Sequence, residues 1–228
     1  DHMFGKPVRI TAETSMGHTG IVSIERESKL SGSTHDKGML IMSGYLRGKY
    51  AQDKPLTLSA SICFEQSYAE VDGDSASAAE LYVLLSSLAE VPIKQNLAVT
   101  GSIDQKGNIQ PIGGVNEKIE GFFNICRTRG LSGKEGAVIP QKNIGDLMLK
   151  KEVVDAARKG KFHIYAANNV DDGMEILTDM KCGKRTKTGK YPKGTLNHLV
   201  VQRLEKLSKG LKQYQSEGET VSADSTKI

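Results

Sequence analysis

The clearest periodic segment of the chain is a strict alternation of apolar and polar residues from Leu56 to Phe64. Successive side chains of a strand point to opposite faces, so this pattern predicts a half-buried strand. After a polar loop, apolar residues recur at helical spacing from Ser75 to Leu88, and Pro92 ends this predicted helix. The sequence therefore predicts a strand, a loop and a helix in direct succession.

Shorter periodic segments alternate between strand and helix along the rest of the chain. The predicted strands cover residues 7–12, 20–26, 97–103, 137–140 and 162–166, and the predicted helices cover residues 38–50, 115–129, 146–158 and 170–180. Strands and helices that alternate in the second half indicate an α+β (mixed α/β) domain, in which helices pack on mixed sheets.

The C-terminal part of the chain differs in composition from the rest. Residues 181–193 contain six basic residues and no acidic one, which predicts a linker. Apolar residues from Leu196 to Leu211 follow helical spacing and predict an amphipathic helix. Residues 215–228 are polar and predict disorder. We therefore expect a domain over residues 1–180 and an extension over residues 181–228.

Composition places the chain among soluble proteins of a reducing compartment. Hydrophobic residues make up 38% and charged residues 25% of its 228 positions. No apolar run reaches the ~18 residues of a membrane span, and no signal peptide is present. Three separated cysteines form no zinc or disulfide pattern, so we expect a cytoplasmic protein with inert thiols at Cys63 and Cys126. Asp1 and His2, ahead of Met3, look like a cloning remnant on an excised domain.

The net charge of +4 is unevenly distributed. Residues 181–228 contain 11 Lys or Arg and 4 Asp or Glu, whereas the rest of the chain is slightly acidic. One interpretation is that residues 181–212 bind nucleic acid or an acidic partner. The other is a solvated linker with a helix that packs on a neighbour, which we favour because Tyr191 and Tyr214 are isolated aromatics.

Ser75, at the start of a predicted helix, is the first candidate for chemistry. It follows a glycine-containing turn and precedes small residues. A helix N-terminus offers free N–H groups and the positive end of a dipole, which can stabilise an oxyanion. The alternative is an ordinary N-capping serine, the commoner role at such a position.

Lys118 is the second candidate, because cations are disfavoured in the first turn of a helix. The alternative is a surface lysine paired with Glu117. None of the five histidines suggests a triad and GxSxG is absent, but lysine replaces histidine as the base in Ser–Lys hydrolases. The amine would have to be neutral, which requires a pKa several units below ~10.4.

Taken together, these segments resemble the Lon protease family, in its archaeal-type B branch. The matching elements are His35-Asp36-Lys37-Gly38 with the helix containing Ser43-Gly44-Tyr45-Leu46, the serine motif at residues 72–77, Thr100-Gly101-Ser102, and the PxGGxxxK element at residues 111–118. Ser75 and Lys118 are 43 residues apart, the interval expected in Lon. The resemblance covers residues 18–180 and implies the fold of the Lon C-terminal proteolytic domain with a helical extension.

The resemblance assigns roles to residues by position. Ser75 matches the nucleophile, and Lys118 matches the general base. Thr100 matches a threonine that accepts a hydrogen bond from the lysine and orients it. Asp72 and Asp74 flank the nucleophile and are expected to shape the turn or to switch it between active and inactive geometries.

The resemblance also implies substrates and partners. Glu65, Gln66 and Tyr68 are expected to line a cleft for unfolded or flexible polypeptides, although solvent-facing loop residues are an equal alternative. We expect a homo-oligomeric ring of six copies, no metal or other cofactor in this domain, and an ATPase region in the full-length protein. The chain contains no GxxxxGK[ST] motif, and Gly183 to Lys190 is only a near miss, so ATP should not bind here.

Two other functions compete with an active Ser–Lys peptidase. One is a Lon-like module with an inactive dyad, serving assembly or nucleic-acid-associated regulation. The other is a small-molecule or nucleotide-binding domain with an anion site at Gly113-Gly114. The second leaves Ser75 and its spacing to Lys118 unexplained.

Overall fold

The computed structural model describes residues 3–224, with side chains through residue 216. The predicted cloning remnant at residues 1–2 lies outside this range. The strands are β1 (Arg9–Ser15), β2 (Gly20–Ser23), β3 (Ser59–Glu65), β4 (Leu97–Val99), β5 (Ser102–Ile103), β6 (Ile109–Gln110), β7 (Gly136–Pro140) and β8 (His163–Ala167). The α-helices are α1 (Ile24–Glu27), α2 (Ser33–Tyr50), α3 (Ser77–Ala89), α4 (Val115–Arg129), α5 (Lys151–Arg158), α6 (Val170–Thr178) and α7 (Leu196–Asp224), and a 3₁₀ helix covers Gln141–Asp146.

The strands form small sheets, which confirms the mixed α+β class. In the first sheet, β3 is central and pairs antiparallel with β1 and parallel with β2. In the second, β7 is central and pairs parallel with both β4 and β8. A short antiparallel hairpin of β5 and β6 follows β4 directly along the chain. The β4–β5 connection therefore lies between the second sheet and this hairpin.

Helix α3 is the centre of the main hydrophobic core. Its apolar side chains Ala78, Leu81, Tyr82, Leu84, Leu85 and Leu88 are all buried. A helix that is apolar on most sides must be covered on most sides, and side chains of α2, β3, α6 and α7 belong to the same cluster. A second cluster joins α4, β7 and α5 around Phe123 and Phe162. The two clusters anchor α3 and α4, the helices that follow the serine and PxGGxxxK motifs.

Several predicted boundaries are wrong because tertiary contacts override local pattern. The predicted strand 97–103 is interrupted between β4 and β5, at Thr100 and Gly101. The predicted helix 146–158 is divided into the 3₁₀ helix and α5. Side chains of α4 bond to the backbone of the intervening segment, as Asn116 accepts from the N–H of Met148, and hold it in an extended path.

Two further elements begin or end differently from their predictions. The strand predicted over residues 20–26 ends at Ser23, whose hydroxyl accepts from the N–H of Arg26 and caps α1. Helix α2 begins before the predicted residue 38, because a carboxylate distant in sequence, that of Asp72, accepts from the N–H groups in its first turn.

The C-terminal helix packs on the core of its own chain. Leu196, Val200, Leu204 and Leu207 are buried in the cluster that contains the α3 leucines. This face of α7 therefore packs within its own chain, and packing of the helix on another copy stays a prediction. The helix extends into the segment predicted to be disordered, of which residues 225–228 lie outside the described range.

Polar contacts fix the preceding segment to the same core. Cys182 is buried, and its thiol donates to the carbonyl of Asp171. Tyr50 on α2 donates its hydroxyl to the side chain of Asn197, which in turn donates to the carbonyl of Gly183. The basic side chains around these anchors remain largely exposed. Across residues 3–224, no helix has both the length and the apolar character of a membrane span.

Replacing Leu196 with Ala tests whether α7 stabilises the domain. Leu196 is fully buried, so its truncation leaves a cavity and should lower the free energy of unfolding by about 2–5 kcal/mol. Urea denaturation followed by circular dichroism measures this change. Gln202→Ala, on the exposed face of the same helix, should change it by less than about 0.5 kcal/mol. Equal effects of both substitutions would show that α7 adds nothing to the core.

Candidate active site

Ser75 lies in the turn between β3 and α3, where backbone contacts fix its position. The backbone of Gly73 has a φ of 85°, a left-handed conformation that favours glycine. The carbonyl of Ser75 accepts a hydrogen bond of 2.8 Å from the N–H of Gly101. The carbonyl of Gly101 accepts one of 3.1 Å from the N–H of Ala78. The connection between β4 and β5 therefore holds the serine turn from one side.

The first turn of α3 does not offer the oxyanion donors that the sequence suggested. The N–H of Ser77 donates to the carbonyl of Asp74, and the N–H of Ala78 donates to Gly101. The hydroxyl of Ser77 accepts from the N–H of Ile103 and is buried. Because both N–H groups already have protein acceptors, neither is available to an oxyanion without rearrangement.

Lys118 lies in the first turn of α4, as predicted. The PxGGxxxK element leads into this helix, and its N-cap is Gly114, whose carbonyl accepts from the N–H of Lys118. The side chain of Asn143, which is 2% exposed, exchanges two hydrogen bonds with the backbone of Ile112. Asn116 binds the carbonyl of Asp146 from the same turn of α4. These contacts fix the start of α4 and thus the base of the Lys118 side chain.

The structure brings Ser75, Lys118 and Thr100 together. The Nζ atom of Lys118 is 2.8 Å from the Oγ atom of Ser75 and 3.4 Å from the Oγ1 atom of Thr100. The hydroxyl of Thr100 also donates to the carbonyl of Ser75, at 3.3 Å. Thr100 is thus in contact with both residues from the interruption between β4 and β5.

Burial of Lys118 favours its neutral form. Loss of hydration lowers the pKa of the Lys118 amine, and the nearby carboxylate of Asp74 opposes this by raising it. The positive end of the α4 dipole also disfavours a cation in the first turn. A half-buried amine can take a proton from a neighbouring hydroxyl more readily than an exposed lysine can.

The two aspartates of the serine turn bind different neighbours. Asp74 accepts a hydrogen bond of 2.7 Å from the hydroxyl of Ser102 on β5. Asp72 accepts from the N–H groups of Thr34 and His35 in the first turn of α2, at 3.2 and 3.4 Å. Hydrogen bonds from the N–H of Gly73, then from those of His35 and Thr34, hold the pKa of Asp72 below its ordinary value.

The expected cleft residues lie at the end of β3. Glu65 accepts a hydrogen bond of 2.6 Å from Thr11 on β1, and Gln66 has a positive φ of 55°. Both line an open groove of about 580 Å³ together with residues 6–9. Tyr68 is 84% exposed. Among the described residues, the hydrogen bonds of Ser75 and Lys118 involve none of these three side chains. Their role in the cleft remains a prediction.

Sequence reasoning missed the supporting residues Ser102 and Asn143. Ser102 was part of a recognised motif but was given no role, although its hydroxyl fixes Asp74. Asn143 is distant from every motif, and its burial next to Ile112 has no signal in the local pattern. Within residues 3–216, no group of three or more His, Cys, Asp or Glu side chains could hold a metal ion, and the expectation of no cofactor remains a prediction.

A serine hydroxyl bonded to a dehydrated lysine amine is the arrangement of hydrolases in which lysine activates the nucleophile. A family model of the Lon protease C-terminal proteolytic domain matches residues 62–179, more than half of the chain. The matched segment contains Ser75, Thr100 and Lys118. The chain therefore belongs to the Lon protease family.

Curated relatives agree with this assignment. A Lon protease homologue of Escherichia coli is 49% identical over 177 residues, which cover 78% of this chain and 30% of that protein. A Lon protease homologue of Haemophilus influenzae is 42% identical over 202 residues, which cover 89% of this chain and 34% of that protein. An archaeal Lon protease of Methanocaldococcus jannaschii is 44% identical over 87 residues, which cover 38% of this chain and 12% of that protein. The chain spans about a third of the length of the two bacterial relatives.

Replacing Lys118 with Met tests the dehydration of the amine without any substrate. The folded state lowers the pKa of this group, so its charged form destabilises the fold at neutral pH. Lys118→Met should therefore raise the melting temperature at about pH 7. The advantage should shrink as the pH rises from the folded pKa towards the ordinary value of 10.5, where the parent amine is neutral in both states.

Thermal unfolding across this pH range provides the measurement. Lys206→Met removes an exposed lysine of α7 and serves as the matched control, which should show no such pH-dependent gain. A Lys118→Met variant that melts at or below the parent temperature at neutral pH would contradict the dehydration of the amine.

Proposed function

We propose that this domain is a serine endopeptidase that hydrolyses peptide bonds through a dyad of Ser75 and Lys118. The observation that carries the proposal is the 2.8 Å separation of Ser75 Oγ and Lys118 Nζ, combined with the burial that lowers the pKa of the amine. Membership in the Lon protease family supports peptide bonds as the substrate. The alternative of an inactive module lacks comparable support, because both groups are present and in contact.

The reaction proceeds through an acyl-enzyme. The neutral amine of Lys118 takes the hydroxyl proton of Ser75 as Oγ forms a bond to the peptide carbonyl carbon, giving a tetrahedral oxyanion. The C–N bond then breaks, and protonated Lys118 returns that proton to the leaving amine. Water repeats the sequence on the ester and releases the second product, so that the dyad is restored.

The neighbouring residues position this dyad. Thr100 accepts a hydrogen bond from the Lys118 amine and thereby directs the nitrogen lone pair towards Ser75 Oγ. Asp74, fixed by Ser102, sets the acidity of the amine by its charge. Asp72 shapes the turn from outside by capping α2. The oxyanion is stabilised by N–H groups outside the first turn of α3, since those of Ser77 and Ala78 already have acceptors.

We further propose that substrates are unfolded or flexible polypeptides, held in extended form by backbone hydrogen bonds. Glu65 and Gln66, which line the groove at the end of β3, and the exposed Tyr68 would contact them. In the full-length protein, an ATPase region would unfold and deliver these substrates, and six copies would form a ring around the sites. Neither a metal nor another cofactor is needed within this domain.

We also propose a cytoplasmic location and an acidic partner or nucleic acid as a further binding partner. Three free cysteines, two of them buried, suit a reducing cytoplasm. Burial raises the pKa of each thiol, for Cys182 to about 12, so that none is an activated nucleophile. The exposed lysines and arginines of residues 181–212 are the surface through which an acidic partner or nucleic acid would bind.

Hydrolysis of an unstructured peptide mixture without ATP tests the function. The parent should cleave, and both Ser75→Ala and Lys118→Ala should lower the rate about ten-thousand-fold or more, because the two groups act as a unit. Mass spectrometry of the products gives the rate and the cleavage sites. Ser132→Ala, in the loop between α4 and β7, should keep the parental rate. Equal cleavage by all variants would assign the activity to another nucleophile, and a folded but inert parent would contradict activity of the isolated domain.

Replacing Asp74 with Asn tests the electrostatic control of the base. The amide still accepts from Ser102 but loses the negative charge that raises the pKa of Lys118. The acid limb of kcat/KM should therefore move to lower pH, since deprotonation of the amine becomes easier. Stopped assays on one fluorogenic peptide across pH measure the shift. Asp53→Asn, an exposed control, should leave the limb in place, and a shift to higher pH for Asp74→Asn would refute the assigned charge effect.

A further inference from the structure

A buried ion pair lies next to the serine turn and has no part in the mechanism described above. The Nε2 atom of His35, in the first turn of α2, is 2.9 Å from the Oε1 atom of Glu80 in the first turn of α3. Both side chains are only 1% exposed. Burying two ionisable groups costs free energy that their attraction only partly offsets, so such a pair is seldom retained for stability alone.

The backbone of α2 around His35 contacts the serine turn directly. Asp72 accepts from the N–H of His35, and the N–H of Gly32 donates to the carbonyl of Val71 at 2.9 Å. The approach is so close that a Cβ at Gly32 would lie 2.3 Å from the Cγ of Asp72. One turn further along α2, a Cβ at Gly38 would lie 3.4 Å from that of Asp74. The first turns of α2 thus support the residues immediately before Ser75.

The opposite end of the pair belongs to the element that follows Ser75. Glu80 lies in the first turn of α3, and its N–H donates to the carbonyl of Ala76, next to the nucleophile. The His35–Glu80 bond therefore connects α2, which contacts the residues before Ser75, to α3, which follows Ser75. Ser75 lies on the chain between Asp72 and Glu80, both of which are bound to His35, one by the backbone and the other by the side chain.

The titratable groups that act on His35 are acidic, and its ring also packs edge-on against Phe64 of β3. Glu80 of α3, Asp36 of α2, Glu25 of α1 and Asp72 of the serine turn all act on its ring. The hydrogen bond that the His35 ring donates to the Glu80 carboxylate outweighs the opposing effect of burial and raises the pKa of His35 above its ordinary 6.5. The second ring nitrogen, Nδ1, is buried, has no hydrogen-bond partner among the described residues, and is 3.9 Å from Asp36.

We propose that His35 and Glu80 are positioning residues for the nucleophile, and that protonation of His35 locks α2 to α3 so that Ser75 stays in reach of Lys118. The inference rests on the proposed function. Because the folded state favours the charged ring, this lock is complete below the ordinary titration range of histidine. It weakens as the pH rises through the raised pKa of His35. The two residues thus need opposite protonation states, because His35 acts with its proton and Lys118 must lose its proton to act as a base.

The pH profile of cleavage distinguishes this role from simple structural support. In the parent, kcat should rise and then fall with increasing pH, because activity requires Lys118 without its proton and His35 with its proton. His35→Gln and Glu80→Gln, which keep the size and hydrogen-bonding capacity of each side chain, should each lower the maximal kcat about tenfold, because small displacements of a reacting group are costly. Both variants should lack the falling limb, with KM changed much less than kcat.

Two controls separate the pair from general destabilisation. His163→Gln alters another half-buried histidine, which bonds to the carbonyl of Gly133 far along the chain from both motifs, and it should keep the falling limb. The double variant His35→Gln/Glu80→Gln should be no slower than either single variant, since the two residues act as one unit. Additive losses, or single variants that keep the falling limb, would overturn the proposal.

A measurement without substrate keeps the test independent of the proposed peptidase activity. In the isotope-labelled Ser75→Ala protein, nuclear magnetic resonance follows the His35 ring and the backbone amides of residues 72–77 against pH. The amides should titrate with the midpoint of the ring, and Glu80→Gln should lower that midpoint. Amides that ignore the His35 titration would overturn the positioning role, whereas an inert parent enzyme with coupled amides would refute only the peptidase.

Discussion

The amine of Lys118 must lose hydration and still lie within hydrogen-bonding distance of Ser75, and much of the fold serves these two conditions. An exposed lysine would satisfy neither, since water stabilises its charge and its long side chain samples many rotamers. Placing the residue in the first turn of a helix whose opposite face is in a hydrophobic core addresses both. Phe123 and its neighbours bury one face of α4, and Asn143 and Asn116 fix the point at which the helix begins.

The serine turn is held by elements distant from one another in sequence. The β4–β5 connection binds it through Gly101, and α2 binds it through Asp72, while α3 continues from it into the main core. None of these contacts is strong alone, as a typical hydrogen bond contributes about 1 kcal/mol. Their combination restricts a short turn that would otherwise be mobile, and it keeps Ser75 Oγ 2.8 Å from Lys118 Nζ.

The core behind the site includes the C-terminal extension. Helix α7 packs against α3, and its leucines share a cluster with those of α3. The extension therefore combines a buried apolar face, which packs against α3, with an exposed basic face in one segment. Near the start of α2, four carboxylates surround His35, those of Glu25, Asp36, Asp72 and Glu80.

The sequence by itself predicted the α+β class, the strand before Ser75, the helices after both motifs, and the two residues that meet in the site. These features follow from local periodicity and from a turn-and-spacing pattern that resembles one family. Tertiary structure decided the rest. The break at Thr100, the early start of α2 capped by Asp72, and the packing of α7 on α3 all depend on contacts between segments far apart in the chain. The burial of His35 against Glu80 is of the same kind, because no local pattern specifies which distant side chain a buried polar group will meet.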